Sequence, residues 1–172
     1  MSTAQYVLNA ALLLFILGTN LGTRRLSTRR LILPLVLVAA AGSLFLRDVP
    51  TVGHDVRLEA VGVVAGLALG VVAGLLLRVQ RRPDGTVVTT AGAGYAALWV
   101  AVVGGRVVFA YGADHWFGRS IGEFSRAQQI TGAGAWTAAF VLMALTMVAA
   151  RVTVTAATAA RTGRGRRATV TA

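Results

Sequence analysis

The side chains able to do chemistry in this 172-residue chain are few: His54 beside Asp55, Asp114 beside His115, and two isolated charges, Glu59 and Arg106, within apolar runs. Two histidines and two carboxylates would suit zinc or another divalent ion. Neither histidine stands at helical spacing from another ligand, however, so the pairs read as separate loop histidines and no metal is expected. The absence of cysteine removes thiolate nucleophiles, disulfides, Fe–S ligation and zinc–thiolate sites together. No HExxH, GxSxG or Walker loop is present, and Gly92-Ala93-Gly94 and Gly132-Ala133-Gly134 lack the rest of a dinucleotide fingerprint. These glycines read as close-packing positions, and no catalytic residue, cofactor or enzymatic activity is expected.

The elements that must position Glu59 and Arg106 are membrane spans. With 56% hydrophobic and 13% charged residues, the chain has too little polar surface to cover a soluble globule of this size. Leu58 to Leu77 is apolar apart from Glu59, and as a helix it is about 30 Å long, the thickness of a bilayer's hydrocarbon core. Gly62, Gly66, Gly70 and Gly74 recur along it every fourth residue, a glycine-zipper pattern that lines up a groove for the close approach of another helix. In a soluble helix each glycine would cost about 1 kcal/mol relative to alanine, so four in register argue for packing in a membrane.

Taken in order, the hydropathy predicts an all-α bundle of five transmembrane helices within residues 1–150, with spans near 6–22, 31–46, 58–77, 91–112 and 128–150. Pro34 is expected in the first turn of the second span, where it is tolerated. Pro83-Asp84-Gly85 predicts a turn in the loop RVQRRPDGTVVTT, and ADHWFGRSIGEFSRA predicts a loop whose Trp116 and Phe117 settle at the interface. Residues 151–172 are expected to be a disordered basic tail on anionic head groups. All 17 basic residues are arginine, in a composition that reads as bacterial. The first loop, the third loop and the tail hold twelve of them; the second and fourth loops hold four, and Arg106 lies within a span. This alternation predicts an outside N-terminus and a cytoplasmic C-terminus in the bacterial inner membrane. It also accounts for the net charge of +11 without nucleic acid.

On that topology, polar residues from several helices converge toward the outer side: Asn9, Glu59, Arg106, Tyr111, Gln128 and Gln129. A charge within a span costs at least ~2.5 kcal/mol, so Arg106 needs a partner or water. Two readings stay open. Arg106 pairs with Glu59 at the base of an outward-opening polar cavity, or its long stem carries the guanidinium to the head groups.

The cluster ending RRLILP (Arg29 to Pro34), LEAVGVVAG (Leu58 to Gly66), Arg106 late in the fourth span, and the stretch from Ser125 to Arg151 carry a resemblance to the CcdC-like family of small bacterial membrane proteins. The resemblance implies a polytopic membrane protein, accessory to the maturation or handling of a membrane-bound redox component, and implies no catalytic residue. The expected function is therefore that of a non-enzymatic accessory subunit or a binder of a small amphipathic ligand. The expected partners are membrane lipids, anionic ones at the basic loops and tail, and a membrane protein or second copy. The alternatives are a small oligomeric transporter, or an enzyme using Glu59, Arg106 and the histidines on a lipid-like substrate.

Overall fold

The computed structural model describes residues 22–45 and 55–168. These residues form, in order, β1 (Gly22–Arg25), α1 (Thr28–Phe45), α2 (Asp55–Leu76), β2 (Leu77–Arg81), β3 (Val87–Ala91), α3 (Ala93–His115), α4 (Gly118–Ala127) and α5 (Ala133–Ala168). The first predicted span, Asn9, His54 and residues 169–172 lie outside the described residues.

The glycine-lined helix and the last helix form the centre. Along α2, Gly62 faces Ala139, Gly66 faces Met143 and Thr146, Gly70 faces Met147 and Ala150, and Gly74 faces Arg151 and Val154. Both numbers rise together, so α2 and α5 run parallel. A Cβ at Gly62 would sit 2.5 Å from the Ala139 carbonyl oxygen, and one at Gly66 or Gly70 would overlap the carbonyl of Met143 or Met147. The groove is therefore filled to its floor by α5 of the same chain. Thr146 adds a 3.4 Å hydrogen bond from its hydroxyl to the Val63 carbonyl, across the interface. The rest of α2 is apolar and faces outward, with Val61, Val64 and Leu75 65–70% exposed. A helix that is apolar all round and buries only its glycine face suits a lipid surround. Among the described residues, three helices, α2, α3 and the Ala133–Thr162 part of α5, are long and apolar enough to cross a membrane.

The structure corrects the all-α expectation at the basic loops. The first and third of these loops form a three-stranded antiparallel sheet in the order β1-β3-β2. Thr23 pairs with Thr90 and Arg25 with Val88, while Val79 pairs with Thr89 and Gln80 with Val88. The β2–β3 turn is the one the sequence predicts. Gly85 donates to the Arg82 carbonyl at 2.9 Å and takes φ +81°, a left-handed value that glycine adopts at no steric cost. Asp84 accepts from the Thr86 amide (2.9 Å) and hydroxyl (2.7 Å).

Three further expectations change. Helix α1 begins at Thr28, so Pro34 lies inside it rather than in its first turn, and the apolar stretch there is only Leu31–Ala40. The expected loop after α3 contains α4, a ten-residue helix. The expected disordered tail is helical as far as Ala168. Thr153, Thr155, Thr158 and Thr162 bond back to carbonyls four residues earlier, which satisfies their hydroxyls without interrupting the helix.

A cavity at the end remote from the sheet

The parallel α2–α5 pair gives the molecule two poles. At one, α2 ends, α3 begins and the sheet lies across them. Tyr95, 1% exposed, joins Ala73, Ala91 and Met147 in a buried cluster there, with Trp99 packed against it. Arg151 donates to the Tyr95 hydroxyl at 2.5 Å. This arginine, expected in the tail, is thus part of the bundle, and the tail's share of basic charge is correspondingly smaller. Asp84 lies at this pole, where the Thr86 hydrogen bonds to its ionised form hold its carboxyl below the usual range.

At the other pole, the start of α2 is tied to the start of α5. Asp55, fully buried, accepts from the Thr131 amide at 2.9 Å and from the Thr131 hydroxyl. Thr131 precedes Gly132, whose φ of +113° turns the chain into α5. Beside this junction a cavity of about 740 Å³ opens between the second half of α3, the whole of α4 and the first two turns of α5. Its apolar lining includes Phe109, Ile121, Ile130, Trp136 and Phe140; its charged lining is Arg106, Asp114 and Arg126.

The aromatic wall is held from several directions. The Phe109 ring lies 5.4 Å from that of Trp136, 5.2 Å from Phe140 and 5.8 Å from Phe117. The Trp136 indole donates to the Ser125 hydroxyl at 3.2 Å, which pins α4 to α5. Gly112 makes room for the Phe117 ring, which would overlap any Cβ there. Arg126 folds back along α4, its guanidinium only 3.8 Å from where a Cβ would stand on Gly122.

Of the polar residues expected to converge, Arg106 lines this cavity. Glu59 is one turn beyond Asp55 on the buried face of α2; it is 8% exposed, and its Oε1 has no hydrogen-bond partner. No hydrogen bond or ion pair joins Glu59 to Arg106 among the described residues. Tyr111 stacks on His115 with ring centroids 4.1 Å apart, and the His115 Nδ1–H donates to the Tyr111 carbonyl at 3.0 Å. Gln128 and Gln129 are exposed in the α4–α5 turn, Gln129 with φ 53°. Asp55 is engaged by Thr131, and the described residues contain no group of three or more metal-ligating side chains.

The sequence reading did not select Arg126, Ser125, Thr131 or Trp136 as a site. The available signal was the amphipathic pattern of GRSIGEFSRA, which turns Ile121 and Ser125 to one face of a helix. Among known proteins, a family model described as CcdC protein matches residues 2–159. No curated protein and no solved structure matches the chain.

Proposed function

The chain belongs to the CcdC protein family, and on that premise we propose that it is a non-enzymatic membrane protein that binds a small amphipathic ligand in the cavity between α3, α4 and α5. The observation that carries this reading is the cavity's make-up. Its volume lies within the roughly 300–1,000 Å³ typical of small-molecule sites, and an aromatic wall faces a few charged groups. We further propose five spans in the bacterial inner membrane, with the N-terminus and the cavity outside and the sheet and C-terminus in the cytoplasm. Arginine placement supports this orientation, since the sheet and the end of α5 gather most of the basic residues. The same arginines would rest on anionic lipid.

The test is native mass spectrometry of the full chain released from membranes in mild detergent. A retained small molecule is expected, and Ala110→Trp, which fills the cavity, is expected to abolish it. A wild-type protein no richer in bound mass than Ala110→Trp would refute the reading.

One observation favours a second role, as accessory subunit to another membrane protein. Helix α3 buries only Tyr95 and Gly112 along its length, leaving Val100 and Val108 about half exposed. Co-purification of a stoichiometric membrane partner, lost on Val108→Arg, would support it; a chain that purifies alone from its native membrane would not.

A further inference from the structure

Resting on the reading of the cavity as a ligand site, we infer that its ligand is an acidic amphiphile, with a carboxylate or phosphate head between Arg106 and Arg126 and an apolar tail against Phe109, Trp136 and Phe140. The argument begins with charge. Arg106 sits within an apolar helix, and among the described residues it has no hydrogen bond or ion pair. The carboxylate expected to pair with it, Glu59, is buried along α2 and is not among the residues that line the cavity. Arg126 brings a second guanidinium to the same cavity, folded back over Gly122. The third charged group among the described lining residues, Asp114, offsets one of these two positive charges and leaves the other. The lining therefore carries a net positive charge, and guanidinium groups are fork-shaped donors matched to carboxylate and phosphate oxygens.

The shape argument is independent of charge. The aromatic wall is immobilised by ring contacts and by the indole–Ser125 hydrogen bond, so it is a preformed apolar surface that needs no reordering on binding. Arg106 lies on the same helix as Phe109, three residues before it, and three-residue spacing puts both side chains on one face. A head held at Arg106 thus leaves its tail beside the ring wall.

The experiment uses the full chain in nanodiscs of zwitterionic lipid, with Trp99→Phe and Trp116→Phe so that Trp136 is the only tryptophan. Its emission is followed during titration with dodecanoate, dodecyl phosphate, dodecanol and dodecyltrimethylammonium. An anionic probe is expected to shift the emission at a concentration roughly tenfold lower than the neutral or cationic one, the scale of one charge-assisted hydrogen bond. Arg106→Gln and Arg126→Gln are each expected to erase that advantage, so that the anions shift the emission at no lower a concentration than dodecanol; a dodecanol shift that persists shows that the variants are folded. Arg119→Gln, outside the cavity lining, is expected to keep it. The order of dodecanoate and dodecyl phosphate identifies the head group. If dodecanol binds as well as the anions, or the arginine variants keep the anionic preference, the inference fails while the cavity remains a ligand site. If no probe reaches Trp136, the ligand-site reading itself fails.

Discussion

Asp55 and Asp84 are both aspartates beside a threonine, but their surroundings assign them different work. Asp55 is fully buried and ties two helix starts together through Thr131. Asp55→Ala leaves the Thr131 amide and hydroxyl without that partner, so a loss of about 1–3 kcal/mol is expected in unfolding of the detergent-solubilised protein. Asp55→Asn keeps one acceptor and should cost less; equal losses would mean the hydrogen bonds are not the cause. Asp84 is exposed and caps a turn. Because Thr86 lowers its folded-state pKa, its contribution to the hairpin is present above the unfolded value, near 3.9, and is lost as pH falls through the lower folded value. Thr86→Val is expected to raise the Asp84 midpoint toward that ordinary value, read by carboxyl NMR; an unmoved midpoint would contradict the assignment. Both aspartates were visible in the sequence as members of polar pairs or turns. Their partners were not, because Thr131 lies 76 residues from Asp55 along the chain.

At the scale of elements, the glycines fall into two sets that sequence spacing alone does not separate. Those of α2 meet the backbone of α5, whereas a Cβ at Gly104 or Gly105 of α3 would meet nothing within 4 Å. Gly66→Ala is therefore expected to destabilise by about 1–3 kcal/mol, the usual range for overpacking. Gly104→Ala should be neutral, or stabilising by up to about 1 kcal/mol through helix propensity. Unfolding midpoints of the two variants check this, and similar values would mean that the α2–α5 contact is not tight. The helix pattern was legible because four glycines on an apolar background have few other uses. The sheet was not legible: β1 reads GTRR, with little strand propensity, and its pairing residues in β3 are 63 or more positions away. Helix α4 was obscured by its two glycines and its ten-residue length.

For the whole molecule, the sheet unites two loops that arginine counting had already assigned to one side. Thr23 and Thr90 lie opposite each other with hydroxyl oxygens 3.0 Å apart, and the chain has no cysteine to interfere. Thr23→Cys with Thr90→Cys is expected to form a disulfide on mild oxidation, seen as a mobility shift reversed by reductant; its absence would remove the β1–β3 pairing. Single cysteines at Gln80 and Ser120 test the proposed orientation. An impermeant maleimide applied to intact cells is expected to label Ser120→Cys and to reach Gln80→Cys only after permeabilisation; the reverse order would invert the molecule in its membrane. By itself, the sequence determined that this is a mainly helical chain of the CcdC type with helices apolar enough to cross a membrane, one of them lined with glycines, because hydropathy and spacing act locally and read directly from composition. Only the tertiary structure decided that α5 fills the groove in parallel, that Arg106 lines one cavity with Arg126 and an aromatic wall and makes no pair with Glu59, and that the basic loops form a sheet. Those outcomes depend on which distant surfaces fit each other, and side-chain shape settles that only once the helices are side by side.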